Sequence, residues 1–571
     1  LPMKTVLSYI RPHRAILGLQ FLIKFAGTVL ELFLPWMLSA IIDDAAPSGD
    51  KSKVILWGGG MILCALMALV TNIIANRMAM KISRNVITAL RHDLYDKVLH
   101  LSGSQADRLT LPSLISRLTS DTYNVHQLLD NMQRLLVRAP ILLLGGMIIA
   151  AILEPVLTLV LLGTLPLLGL IIWYTSRIGV PMYGQVQTAL DLLVRTVREN
   201  IHGIRVIKAL SKSDDEISRF ERINQELAQK EQRAGIVMSV TNPGMNLLLN
   251  LGLALVILAG AFRVQAGLTR PGIIIAFLSY LTIIITALMR VPRLFVIYSK
   301  GAASARRIAE ILDMQADLAV KPCDRRPSPC HIEFSSVRFS YNKIKDNLQD
   351  ISFCLRQGET LGIIGPTGSG KSTLVSLLLR LYDPDSGEIR ISGENIQGMA
   401  PEILYSKFGV VFQNDFLLTG TLRDNIDFGR PLGDAAVEAA AQTAQMDYVS
   451  DMDGGFSSLL SVKGANLSGG QKQRLLIARA LAADPEILVL DDCSSALDYK
   501  TDAALRRGLA VGYQNTTRII IAQRISSIKN ADKILVLDSG RMIGYGTHPE
   551  LLASCSSYRD MVEVQMGVAS R

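Results

Sequence analysis

The chain has 571 residues, 49% of them hydrophobic and 19% charged, with a formal net charge of +9, and its mean hydropathy is +0.31. That length exceeds one hydrophobic core, and that balance excludes a simple string of soluble domains: it describes a chain lying part in lipid and part in water. The positive excess is read as attraction to lipid headgroups and a cytoplasmic loop bias rather than to nucleic acid, because no basic run with interleaved aromatics occurs.

Leu1-Pro2 ahead of Met3 reads as an addition to the natural start, and Met3 to His13 suits a short helix on the inner membrane surface. Six apolar stretches then have the length of membrane spans, at about 15–42, 54–80, 135–153, 156–178, 236–262 and 273–288. The first is too long for a cleavable signal. Lys81, Arg84, Arg91 and Lys97 follow the second span, and Arg195, Arg198, Arg205 and Lys208 follow the fourth, which makes both loops cytoplasmic. With six crossings the protein is expected to be a multi-pass cell-membrane protein with both termini in the cytoplasm. The loops stay amphipathic, so their helices are expected to project beyond the bilayer, with 110–113 and 204–213 as contact points.

Several polar groups fall at membrane depth. Lys24 and Glu31 stand two helical turns apart on one face of the first span; they look into a cavity, or Lys24 snorkels and Glu31 bonds a neighbouring helix. Asn242, Asn246 and Asn250 form a stripe around Pro243 in the fifth span, lining a translocation path or gluing helices. Arg134, Arg138, Arg290 and Arg293 are placed near the cytoplasmic boundary. Glu31, Asn242 and Asn246 are the candidate cavity residues. The cysteines at 64, 323, 330, 354, 493 and 555 include no C-x-x-C pair and are expected to be reduced thiols.

Hydrophobicity drops between Met314 and Pro329, where three prolines stiffen a linker. The domains expected are therefore 1–313, helical and membrane-spanning; 314–329, linker; and 330–571, a soluble α/β domain of alternating strands and helices. In that last part the apolar run 361–364 leads into Gly365-Pro366-Thr367-Gly368-Ser369-Gly370-Lys371-Ser372 and then a helical pattern from Thr373. This is a phosphate loop: glycines let backbone amides close on phosphates, Lys371 reaches the terminal ones and Ser372 ligates Mg²⁺. The strand 487–490 delivers Asp491 toward the metal, Gln413 follows another short strand, and Leu467-Ser468-Gly469-Gly470-Gln471 opens a helix whose positive end suits a phosphate. Tyr341 is placed to stack on a base, and Ser495-Ala496-Leu497-Asp498 follows the metal strand.

Taken together these motifs resemble the nucleotide-binding domain of ATP-binding-cassette (ABC) proteins, with Walker A, Q-loop, signature, Walker B and D-loop in the family's order. Six spans ahead of the cassette resemble an exporter-type half-transporter. The resemblance implies ATP and Mg²⁺ as ligands, a lipid bilayer, a small-molecule substrate, and pairing of two halves so that each ATP lies between one chain's Walker motifs and the other's Ser468, Gly469, Gly470 and Gln471. Two positions depart from the family pattern. Asp492 stands where the family has a glutamate, and Gln523 where it has the switch histidine. The shorter carboxylate holds attacking water poorly and an amide cannot become a cation, so this site is expected to bind ATP and turn it over slowly. With its own signature intact, the chain resembles the degenerate-site subunit of heterodimeric, multidrug-type exporters, whose partner half supplies the consensus Glu and His. The rival readings are a homodimeric lipid or peptide exporter and a non-transporting, ATP-gated regulator.

Overall fold

The computed structural model describes residues 3–289, 291–413, 416–493 and 497–566; Leu1, Pro2, Arg290, Asn414, Ser495, Ala496 and the side chain of Arg293 lie outside the described part. Two compact units separate: Leu1–Leu99 with Leu111–Met314, and His100–Thr110 with Gln315–Arg571.

Among the described residues, six helices in the first unit are long and apolar enough to cross a membrane: Lys4–Ala45, Lys51–Leu99, Leu111–Leu153, Pro155–His202, Ser213–Gln265 and Pro271–Met289. Each contains one of the stretches read from hydropathy, but most run further. The 49-residue helix Lys51–Leu99 extends about 70 Å at 1.5 Å per residue, more than twice the ~30 Å hydrocarbon layer. Its later turns bury Ile82, Val86, Leu90 and Leu94 along one face, the spacing of an amphipathic helix in water. Pro155 starts the fourth span's helix at the position where a missing N–H costs nothing. The sixth is capped from the first, because the Asp43 carboxylate accepts from Gly272 N at 2.6 Å and Ile273 N at 3.1 Å.

The second unit is built on a ten-stranded sheet. Its strands are β1 (Ile332–Phe339), β2 (Leu348–Leu355), β3 (Thr360–Ile364), β4 (Ser386–Ile391), β5 (Glu394–Asn395) and β6 (Phe408–Val411). A separate pair, β7 (Gly420–Thr421) and β8 (Leu459–Leu460), is followed by β9 (Ile487–Asp491), β10 (Thr517–Ile521), β11 (Lys533–Asp538) and β12 (Arg541–Gly546). The order is β5-β4-β1-β2-β12-β11-β3-β10-β9-β6. From β11 to β6 the strands are parallel, and β9 is buried at every residue, which is why it reads as an uninterrupted apolar run. Register sets Ile521 level with both Ile363 and Asp491. The carboxyl ends of β3, β9 and β10 therefore share one edge, the place where parallel sheets bind ligands.

Residues 315–329 cluster with this unit instead of hanging free. Lys321 N bonds Gln397 O and Arg326 N bonds Gly393 O, while the buried Arg380 and Arg390 donate to Ala319 O and Asp324 O. The short helix Gly103–Leu109 belongs here too. Its cap is reciprocal between Ser102 and Gln105; Gly103 N donates to Leu381 O, Tyr382 donates its phenol to Asp107, and Ser102 Oγ donates to Asp317. A Cβ on Gly103 would lie 2.9 Å from Leu381 O, so only glycine allows that approach. These contacts lie at 102–107, ahead of the expected 110–113, where a separate helix begins, Leu111–Ser116. Thr110 joins the two with a left-handed φ of 59°. Residues Ile204–Ala209 form a short helix in the first unit that leaves Ile204 and Val206 exposed.

The expectation of six reduced thiols is corrected: Cys330 and Cys354 form a disulfide. The antiparallel pairing of β1 with β2 puts Glu333 opposite Cys354 and carries Cys330 past it at 5.4 Å between Cα atoms, within bridging range. Cys64, Cys323, Cys493 and Cys555 are free.

Candidate nucleotide site

At the carboxyl edge of β3, β9 and β10 lies a cleft of about 260 Å³ lined by Thr367, Gly368, Gly370, Lys371, Ser372, Thr373, Gln413, Asp491, Asp492 and Gln523, together with Asn347 and Ile521. The loop after β3 is tight. A Cβ on Gly365 would lie 2.1 Å from Leu537 O, and Gly370 holds a left-handed φ of 102° as the cap of helix Lys371–Leu378. A side chain at either position meets a clash or strain, and Gly368 between them is also left-handed, at φ 83°. The hairpin β11–β12 braces the loop from below, with Gly540 N donating to Ser369 O at 3.1 Å.

Within the cleft Lys371 Nζ donates to Gly365 O and Pro366 O, both at 2.8 Å, and burial lowers its pKa. Ser372 Oγ is 3.4 Å from Asp491 Oδ2. Burial raises the Asp491 carboxyl above its ordinary value, against the Ser372 hydroxyl that favours its anion. Burial raises Asp492 as well, against Arg524 and Lys371. Asp492 follows β9 with a left-handed φ of 52°, and its N–H donates to Ile521 O at 3.0 Å. Gln523 Nε2 donates to Asp492 Oδ2 at 3.1 Å, so the two residues that depart from the family pattern touch each other. The Ser369 hydroxyl is buried without a partner. An orphaned hydroxyl, a helix amino end, a lysine and a hydroxyl–carboxylate pair fit a polyphosphate with a divalent cation of the Mg²⁺ type, which takes one or two carboxylates and leaves its other positions to phosphate and water.

Tyr341 stands beside the cleft, half exposed, edge-on to Phe339 at 4.8 Å and to Tyr382 at 5.1 Å between ring centroids. Its N–H donates to Asn347 Oδ1. Asn347 had no local signal in the sequence; the loop between β1 and β2 brings it in.

None of Ser468, Gly469, Gly470 and Gln471 lines this cleft. They cap helix Gly469–Leu481, with Gln471 N donating to Ser468 Oγ and Ser468 N to Gln471 Oε1, and Ser468 and Gly469 are exposed. Asp498 caps the next helix by accepting from Thr501 N, and the Thr501 hydroxyl, with that N–H behind it, lowers its pKa.

In the membrane unit Arg138, on the third span, donates to Glu31 of the first at 2.5 and 2.8 Å. Asn242, Asn246 and Asn250 are exposed along the fifth helix.

Comparison with known proteins covers nearly the whole chain. A model of the ABC transporter transmembrane region matches residues 17–288, and the ABC transporter model matches residues 348–495. The uncharacterized ABC transporter ATP-binding protein YfiB of Bacillus subtilis (strain 168) is 34% identical over 568 residues, covering 99% of each chain. Rv1273c of Mycobacterium tuberculosis, another uncharacterized ABC transporter ATP-binding protein, is 32% identical over 573 residues, 98% of this chain and 97% of that one. A solved bacterial Atm1-family ABC exporter with ATP bound shares the fold, with a TM-score of 0.80 at 22% identity, covering 98% of this chain and 99% of that one.

Proposed function

Because the chain belongs to the ABC transporter family as an exporter-type half-transporter, we propose that it is one subunit of a heterodimeric exporter that moves hydrophobic or amphipathic small molecules across the cell membrane by alternating access. In this reading the Walker residues Gly365 to Thr373, with Asp491 and Gln413, hold ATP; Ser372, Asp491 and Gln413 hold Mg²⁺, which neutralises phosphate charge. Tyr341 stacks on the adenine. The Ser468–Gln471 cap, with Ser468 and Gly469 exposed, faces the nucleotide of a partner half, and both termini are cytoplasmic.

The observation that carries the proposal is the Asp492–Gln523 contact at 3.1 Å. A catalytic carboxylate must reach the attacking water and a switch residue must reach the γ-phosphate; here Gln523 donates to an Asp492 carboxylate that is one methylene shorter than glutamate. Loss of a positioned base typically costs about 10²- to 10⁴-fold in rate. This chain's site then works by binding: ATP favours the closed arrangement of two cassettes through its differential affinity, while hydrolysis occurs at the partner's site.

The test is ATP binding and ATPase of the purified chain alone and mixed with a half-transporter carrying the consensus Glu and His. Binding without turnover alone, and turnover in the pair, support the proposal. Brisk hydrolysis by a homodimer of this chain refutes it.

A further inference from the structure

We infer that the membrane unit carries an oxyanion-binding site made by Lys24, Arg134 and Arg138, which takes the anionic head of an amphipathic ligand; the inference rests on the exporter reading and names the chemistry of its cargo. The site begins with one buried face of the first span. Gln20, Lys24 and Thr28 recur every four residues there, and all are buried. Lys24 is 2% exposed and donates to two amide oxygens, Asn72 Oδ1 at 2.9 Å and Asn76 Oδ1 at 3.0 Å, both on the second span.

Amide oxygens solvate an ammonium but do not neutralise it. Among the described residues Lys24 makes no ion pair within 4.0 Å, and a single charge at membrane depth is costly unless something of opposite sign answers it. The third span adds two more cations one helical turn apart. Arg134 pairs with Asp130 at 2.8 Å and Arg138 with Glu31 at 2.5 Å. Lys24 lies within electrostatic reach of Arg134, Arg138 and Glu31, so three cations face two carboxylates.

The hydrogen bonds are also incomplete. The Nε–H donors of Arg134 and Arg138 are both buried without an acceptor, and the buried Gln20 Oε1 and Gln133 Oε1 lack donors. Gln20 and Gln133 are neighbours, since Gln20 Nε2 approaches Gln133 O at 3.4 Å. Ion pairs that merely glued three helices together would be electroneutral and would have their donors filled. A surplus cation beside two unfilled guanidinium donors calls for a carboxylate, sulfonate or phosphate, with hydroxyls of the same head suiting the two amide oxygens. The arginine side chains are 30% and 29% exposed, so the cluster opens on one side with Lys24 as its floor.

The ligand's anion can come from a free amphiphile or from a phospholipid headgroup, and the experiment separates them. Full-length protein in phosphatidylcholine nanodiscs is titrated with radiolabelled dodecyl phosphate and with dodecyltrimethylammonium. The phosphate is expected to bind about tenfold tighter or more, and Lys24→Met and Arg134→Gln are each expected to weaken it about tenfold, the worth of one charge-assisted hydrogen bond. Arg134 is on the partly exposed rim, so its variant reports even if Lys24→Met does not fold. Loss of dodecyl phosphate binding when the nanodiscs contain phosphatidylglycerol assigns the site to a lipid headgroup; persistence assigns it to a free amphiphile. Equal binding of the two probes, or wild-type affinity in folded variants, overturns the inference. ATP-driven transport of neutral or cationic compounds without anion preference would sink this site and leave the exporter reading intact.

Discussion

Restoring the family residues in one chain, Asp492→Glu with Gln523→His, is expected to convert slow turnover into fast turnover. The backbone of Asp492 is fixed by its N–H bond to Ile521 O at 3.0 Å, so side-chain length decides where the carboxylate ends. Glutamate carries it about 1.5 Å further, one carbon–carbon bond. Misplacing a reacting group by about 1 Å can cost ~10²-fold, and His adds a cationic donor where Gln523 now engages Asp492; the pair of changes is therefore expected to raise kcat by about 10²- to 10³-fold. There is a price in stability. The residue at 492 is left-handed, with φ 52°, a conformation Asp tolerates better than Glu, so about 1 kcal/mol is lost. The assay is phosphate release by the purified double variant in nanodiscs, where a homodimer now has two consensus sites because Ser468–Gln471 is unchanged. Unchanged kcat with ATP still bound would refute the reasoning.

Asp491→Asn tests the burial of the carboxylate at the end of β9. Its pKa is raised from the ordinary 3.8, so the stability it contributes is present below that unfolded value and lost as pH rises through the folded one. The Asn variant without nucleotide is expected to melt higher than wild type at neutral pH, with the gap closing toward about pH 4, while losing Mg²⁺-dependent ATP binding; a lower neutral-pH Tm contradicts this. Cys354→Ser removes a bridge spanning a sequence separation of 24, expected to cost up to about 3 kcal/mol in oxidising buffer and nothing with excess dithiothreitol, read as the Tm difference between the two conditions. Ser468→Ala loses a helix cap worth about 1 kcal/mol. In the assembled pair it is expected to cut ATPase at least about tenfold by removing a donor from the partner's nucleotide, whereas Gln523→Ala changes turnover far less; the reverse ranking would place the working site on this chain.

Local pattern made much of this legible. Membrane spans are continuous apolar runs, and the phosphate loop, β9 and the signature helix are contiguous segments whose chemistry sits in adjacent residues. What escaped depends on strand order and helix contacts. Cys330 and Cys354 meet only because β1 and β2 are antiparallel neighbours. Lys24 and Glu31 share a face that sequence exposes, but their partners, Asn72, Asn76 and Arg138, come from other spans. Asn347 enters the cleft through a loop without a motif. The Asp492–Gln523 contact was hidden too, since it needs β9 and β10 side by side; sequence gave the two departures and not their mutual hydrogen bond.

The helix Gly103–Leu109 interrupts a stretch whose flanks, Leu99 and Leu111, belong to the membrane unit. It is fastened within its own unit, through Gly103 and Asp107 to Leu381 and Tyr382. The helix ends at Thr110, whose φ of 59° leaves a β-branched residue off its preferred backbone basin. A glycine there would adopt that φ without the Cβ penalty, so the threonine marks a place where this short helix ends in stored local strain.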